Sequence, residues 1–213
     1  MTQDVATRVA SLYGTRFLRS YVRNKIRHDL LYPAVLEALR DTRAPVLDIG
    51  CGAGVLAFFL RESGFAWPIS GIDFDAPKIE IARRIGARYE GLDFRVGDAR
   101  EEQLPPGHSV LVLDVLQYVK AAERQRILEK VAAAVPPGGV AIVRQGVRDQ
   151  SWRSRVSYFL EVFSRMNGWL KMENIDLPTR EEIAGPFAGF AQEIRPLWGR
   201  TPFNNYLFVF RRV

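Results

Sequence analysis

Apolar and polar positions change in blocks through the middle hundred residues. Short, nearly unbroken apolar runs are each followed by a stretch with apolar residues at helical spacing. That alternation predicts a parallel sheet joined by crossover helices. PVLDIG (45–50) reads as a buried strand and AGVLAFFLRESG (53–64) as its helix, stopped by Gly64. PISGIDFD (68–75) predicts a second strand, and APKIEIARRIGARYEG (76–91) a helix with Ile79, Ala82 and Ile85 on one face. LDFRVGD (92–98) and SVLVLDV (109–115) predict the third and fourth strands. AAERQRILEKVAAAV (121–135) predicts a helix that stops at PPGG, and VAIVRQ (140–145) a fifth strand.

Something is added at each end of this core. Residues 9–40 have a mainly helical pattern, broken near Gly14 and before Pro33. Residues 151–174 place Trp152, Val156, Phe159, Phe163, Met166 and Leu170 at helical spacing. LPTREEIAGPF predicts a short helix capped by Thr179, with Glu182 closing a capping box. The last residues, from Phe190 on, form two strand-like runs around a turn, hence a terminal hairpin. No repeat, low-complexity tract or interdomain linker interrupts the pattern.

The 213 residues suffice for one large domain with a substantial core, and 47% hydrophobic with 25% charged content excludes wholesale disorder. Runs such as VLAFFL and YLFVF are too short to span a bilayer. The arginine-rich start lacks the apolar core of a signal peptide, so a cytoplasmic location is expected. One cysteine, Cys51, gives neither a disulfide framework nor a zinc set, and two histidines, His28 and His108, make an imidazole metal site thin. The net charge of +6 is uneven. Residues 1–43 carry eight Lys/Arg against four acids, 44–143 eleven against thirteen, and 144–213 eleven against seven. Basic flanks suit an anionic partner, although a solvated basic surface is the commoner outcome.

The chemistry concentrates in VLDIGCGAGVLAFFL (46–60), where Asp48, Gly50, Gly52 and Gly54 take alternate positions after an apolar run. Glycines there cost backbone entropy unless the turn needs unusual dihedrals or a ligand approaches the main chain. A dinucleotide loop would carry a third glycine at position 55, which is valine, and no Gly-Lys-Ser/Thr follows as in a phosphate-binding loop. Acids then recur at the ends of the next three strands: Asp73, Asp98 and Asp114. Any one of them could be a turn former or a helix cap. Four at one end of four consecutive strands suit a single ligand pocket.

Asp48-x-Gly50-x-Gly52-x-Gly54 with the acids that follow resembles the first motifs of class I S-adenosylmethionine-dependent methyltransferases, small-molecule branch. The resemblance covers residues 45–145, and NNYLFVFRR stands where that family has its antiparallel last strand. It implies an α/β, Rossmann-like, doubly wound seven-stranded sheet as one domain over 1–213. Within it, 1–43 would be a helical cap, 44–147 the cofactor-binding core, 148–187 a helical lid or insertion and 188–213 the hairpin. It also implies S-adenosylmethionine as cofactor. Asp48, Gly50, Cys51, Gly52 and Gly54 would lie by its methionine part, Asp73 and Phe74 by the ribose, Asp98 and Ala99 by the adenine. Asp114 would stand beside the methyl-transfer site, and Lys25 would pair with the cofactor carboxylate. Cys51 is read as a small packing residue.

Methyl transfer asks mainly for alignment and exclusion of water, with a base only where the acceptor must lose a proton. His28, Tyr118 and Arg200 are the candidate catalytic groups. His108 precedes the fourth strand and belongs to the opposite end of the sheet. Arg200 and Asn204, in the loop WGRTPFNN, are read as either acceptor contacts or plain turn residues. The strand-four run Asp114-Val115-Leu116-Gln117-Tyr118 lacks the Asn/Asp-Pro-Pro-aromatic sequence of many base-methylating relatives, which argues against nucleic acid. The aromatic segment 151–174 suits a hydrophobic or aromatic acceptor, core packing or a homodimer contact equally. Arg16, Arg19, Arg23 and Arg27 share a helical face, solvated by default and otherwise suited to an acidic partner such as an acyl carrier protein bearing the acceptor. The rival readings are an RNA methyltransferase and a non-catalytic methyltransferase-like binding subunit.

Overall fold

In the computed structural model, which describes residues 2–156, 176–199 and 201–213, seven strands form one sheet. They are β1 (Val46–Ile49), β2 (Ile69–Asp73), β3 (Leu92–Val96), β4 (Ser109–Leu113), β5 (Val140–Gly146), β6 (Ala191–Pro196) and β7 (Asn205–Arg211). Their spatial order is β3-β2-β1-β4-β5-β7-β6. β1 to β5 are parallel, and β7 is antiparallel to both of its neighbours. The expected α/β sheet with its antiparallel last strand is therefore what the chain builds. Strand order reverses between β1 and β4, which opens a crevice beyond the carboxyl ends of those strands.

The helices are α1 (Thr2–Ser11), α2 (Arg16–His28), α3 (Leu31–Ala38), α4 (Val55–Glu62), α5 (Ala76–Gly86), α6 (Ala121–Ala134) and α7 (Arg180–Ala184). Period-two alternation along the strands feeds an apolar layer on each face of the sheet. One layer joins Val46, Ile142, Leu207 and Val209 to residues of α1 through α5. The other joins Leu47, Ile49, Val112, Phe208 and Phe210 to α6.

The N-terminal helices belong to the first layer. α1 begins seven residues earlier than the pattern suggests, because Val5, Ala6, Val9 and Ala10 form a buried face among polar neighbours. Arg8 Nε donates to Glu62 Oε2 at 2.8 Å and the Tyr89 hydroxyl donates to Glu62 Oε1 at 2.7 Å, which fastens α1 to α4. The chain breaks at Gly14 and again at Asp29–Leu30, with Pro33 in the first turn of α3, where its missing N–H is tolerated. α5 stops at Gly86 rather than Gly91, since Tyr89 turns back to stack on Phe58 at 5.7 Å. Residues 152–156 are helical, while most of the aromatic run, 157–175, lies outside the described residues. Thr179 and Glu182 form the expected capping box at α7.

Phe58 links this packing to the chemistry. Its ring meets Tyr13, Tyr89 and Phe94, and its Cε2 lies 2.9 Å from where a Gly54 Cβ would stand. Truncating Phe58 to alanine should cost about 3–5 kcal/mol through the cavity it leaves. Urea unfolding of the variant would show this as a lower midpoint at unchanged slope.

Candidate active site

After β1 the chain passes through Gly50, Gly52 and Gly54 at φ of +77°, +55° and +76°. The three glycines do different work. A Cβ on Gly50 would lie 2.4 Å from Val115 Cγ2, and one on Gly54 would press on the Phe58 ring. Gly52 is clear of the protein, its nearest neighbour being Lys78 Cδ at 3.8 Å. Gly50 and Gly54 thus let the loop pack, and Gly52 leaves its outer surface open to a ligand.

The loop is held from β2. The Gly50 and Cys51 N–H groups both donate to the Ile72 carbonyl, at 2.8 and 3.1 Å. The Gly52 N–H donates to Asp73 Oδ2 at 2.8 Å, and the Asp75 N–H donates to Asp73 Oδ1 at 2.9 Å. Asp75 in turn caps α5 through the Lys78 N–H. Asp73, 9% exposed, is therefore a tie between loop, strand and helix as well as an acid at the pocket. Cys51 Sγ lies 2.7 Å from where a Gly71 Cβ would be, so it fills the space that glycine leaves, and burial pushes its thiol pKa up.

Asp48 is 3% exposed, with no hydrogen-bond donor to its carboxylate among the described residues. Burial, with the Asp73 charge adding to it, pushes its pKa up to about 7. At the neighbouring strand ends Phe74 is 75% exposed and Val96 45% exposed, two apolar surfaces turned to solvent beside the acids. The Gly97 N–H donates to the Asp73 carbonyl at 3.1 Å and so joins the ends of β2 and β3. Asp98 lies just beyond, and hydrogen bonds from the Arg100 side chain hold its carboxyl below the usual range. Ala99 packs against the second apolar layer.

At the end of β4, Asp114 has φ +59°, alone in the left-handed region among the described non-glycine residues. β5 sets its surroundings. Its N–H donates to the Arg144 carbonyl at 2.9 Å, and Arg144 Nε lies 3.3 Å from its Oδ1. Arg144 Nη1 also donates to Asp29 Oδ2 at 2.7 Å, bridging to the turn before α3. Gln145 Oε1 accepts from the Leu116 N–H at 3.1 Å. Burial pushes the Asp114 pKa up, against the opposing pull of Arg144 and Lys25. Lys25 thus belongs to the Asp114 end of the site, its ammonium over the Tyr21 ring at 5.8 Å.

Arg144 and Asp29 were not among the expected site residues. The available signal was an arginine inside the otherwise apolar run VAIVRQ, since a buried charge demands a partner. Among the expected catalytic groups, Tyr118 is 37% exposed in a single 3₁₀ turn after β4. His28 is exposed at the last residue of α2. Arg200 lies outside the described residues. Asn204 is not an acceptor contact: it is fully buried, its Nδ2 donating to the Val147 carbonyl and to Asp149 Oδ2. His108 is a half-buried loop residue with Nδ1 3.2 Å from the Pro106 carbonyl, before β4 and away from the crevice.

An open glycine cradle, an unsatisfied buried carboxylate and apolar walls over two strand ends fit the ammonium, ribose and adenine of S-adenosylmethionine. Residues 46–139 match the family described as methyltransferase domain. That stretch carries a methyltransferase domain, and the comparisons support a class I S-adenosylmethionine-dependent methyltransferase. Among curated relatives it is 22% identical over 164 residues to a carboxy-S-adenosyl-L-methionine synthase of Campylobacter curvus, covering 71% of this chain and 70% of that one. It covers 51–56% of the length of further synthases of that name. A ubiquinone biosynthesis O-methyltransferase of Caulobacter vibrioides is 34% identical over 103 residues, 46% of this chain and 39% of that one. The magnesium protoporphyrin IX methyltransferase of Synechocystis PCC 6803, solved with bound SAH, superposes at a TM-score of 0.67 with 17% identity, over 99% of this chain and 94% of that one.

Two outcomes test the site. Gly52→Val should still fold, at a backbone cost of about 1–3 kcal/mol, and lose cofactor binding by calorimetry. Gly50→Ala should instead unfold at markedly lower urea, because its methyl meets Val115. The second outcome concerns pH. Asp48 is easier to protonate in the fold than in the open chain, so its contribution to stability is greatest below about pH 4 and falls as pH rises through about 7. Asp48→Asn should flatten the urea midpoint across that window and be the more stable protein at alkaline pH. In the parent, cofactor affinity should rise as Asp48 ionises; in the variant that rise should vanish.

Proposed function

We propose that the chain methylates a small hydrophobic or aromatic acceptor, free or tethered to a carrier. The supporting observation is the apolar rim of the crevice. Tyr118, Trp152 and Phe203 are large, solvent-exposed and follow β4, β5 and β6 at the carboxyl edge of the sheet. Exposed apolar groups gathered at one crevice mark a binding surface rather than ordinary surface texture.

S-adenosylmethionine supplies an electrophilic methyl group on a sulfonium. The chain's task is then alignment. The Gly52 backbone and Asp73 fix one side of the crevice, and the apolar rim excludes water from the other. For a hydroxyl acceptor, Asp114 would take the hydroxyl proton as the methyl–oxygen bond forms and the methyl–sulfur bond breaks, with S-adenosylhomocysteine the leaving group, and would pass that proton to water. Burial raises its pKa against the opposing pull of Arg144 and Lys25, which makes it a stronger base than an ordinary carboxylate.

The synthases named above favour a second reading, in which the cofactor itself is the molecule modified. Incubation with methyl-labelled S-adenosylmethionine, host extract and a panel of phenols, catechols and fatty acyl carriers, followed by mass spectrometry, separates the readings. A labelled organic-phase product one methylene heavier than its precursor supports methyl transfer to a small acceptor. Label in RNA overturns it, and a carboxylated cofactor establishes the second reading. Asp114→Asn keeps a residue at home in the left-handed region and removes the base. On a hydroxyl acceptor it should lower turnover by about a hundredfold or more at unchanged cofactor affinity.

A further inference from the structure

The thirteen residues of α2 contain five Lys/Arg and no acid. None of the five forms an ion pair among the described residues. The acids nearest in sequence are taken, Asp4 by Arg8 and Asp29 by Arg144. Val22 and Ile26 bury one face of the helix against the core. The solvent half carries two parallel rows. One is Arg16, Arg19, Arg23 and Arg27, extending about 16 Å along the axis. Arg19 is steadied by the Tyr13 carbonyl at 2.7 Å, and Arg27 makes one long bond to Thr7 Oγ1 at 3.4 Å. The other row is Phe17 and Tyr21, one turn apart and 78% and 51% exposed.

We infer that α2 is a docking surface for an anionic lipid bilayer. An interfacial helix needs a dense cationic edge for headgroup phosphates and aromatic side chains that enter the acyl boundary, both on one exposed side. α2 has both, one on each flank of its exposed side with Ser20 and Asn24 between, and without compensating acids. An acidic protein face would complement the arginine row alone, whereas a bilayer takes both rows at once. The aromatic row continues through Tyr21 to Lys25 and the Asp114 end of the crevice. A chain docked this way would receive an apolar molecule without its crossing water.

Sedimentation of the full chain with phosphatidylcholine vesicles, with and without phosphatidylglycerol, tests the inference. Pelleting should be at least tenfold stronger on the anionic vesicles and should weaken at high salt. Arg16→Glu/Arg23→Glu should lower it at least tenfold, and Phe17→Ser should lower it at unchanged charge. Both variants should keep the parent's melting temperature and calorimetric cofactor affinity, which separates failure of the surface from failure of the site. Equal pelleting on both vesicles, or none on either, overturns the inference. So does an arginine variant that loses binding to an acidic carrier protein or to RNA while its vesicle binding stays at the parent's level.

Discussion

Two backbone N–H groups on one carboxylate hold the working edge of this sheet in shape. Asp73 accepts from Gly52 on one side and from Asp75 on the other. It therefore fixes the glycine loop, the end of β2 and the start of α5 relative to one another. Without that tie, a loop with three left-handed glycines would have many conformations to choose from. The same placement has an electrostatic consequence. Burial, with the charge of the neighbouring Asp73 adding to it, pushes the Asp48 pKa up to about 7. The apolar support is equally local, since the Phe58 ring under Gly54 carries the far end of the loop. Loop geometry, acidity and core packing are thus three aspects of one junction.

The second half of the crevice is organised by β5 rather than by the strand that carries the acid. Period-two alternation sends Arg144 to the face covered by the N-terminal helices and Gln145 to the face covered by α6. From those opposite sides they hold Asp114 and Leu116. Asp114 can occupy φ +59° because its short polar side chain tolerates that region and because its own N–H is claimed by the Arg144 carbonyl. Arg144 reaches Asp29 as well, so the helices over the site and the acid within it share one guanidinium. Displacing the turn before α3 would disturb Asp114 without touching the crevice.

Most of the sheet was legible because parallel strands buried on both faces write themselves as continuous apolar runs, VLDI and SVLVL among them. The glycine loop was legible because alternate glycines after such a run serve few other purposes. Helix ends were less so. α1 hid its start behind Thr2, Gln3 and Asp4, and α5 ended at Gly86 through a tertiary contact of Tyr89 that no local pattern encodes. The Arg144–Asp29 pair joins residues 115 apart, which periodicity cannot see, although an arginine within an apolar strand announced that some partner had to exist. Asn204, open in the sequence between an acceptor contact and a plain turn residue, is a buried pin between loops, which a polar residue in a turn sequence does not announce.

Charge shows best how composition and structure differ. The two basic flanks carry the same excess, but the fold uses them differently. In the C-terminal flank Arg144, Arg148 and Arg195 form ion pairs, Arg153 and Arg180 lie over aromatic rings, and Arg212 Nη1 donates to the Val135 carbonyl. Those cations are structural, holding the hairpin and the segments around the crevice to the sheet. Of the cations in the N-terminal flank, Arg8 alone forms ion pairs among the described residues, with Asp4 and Glu62. The remaining excess gathers on α2, whose buried face is satisfied by Val22 and Ile26 and whose cations therefore add nothing the core requires. A helix of this length would bury its apolar face as well with glutamates interspersed, and would then be steadied by ion pairs one turn apart. The absence of any acid over thirteen residues makes α2 worse as an isolated helix and stronger as a cationic surface.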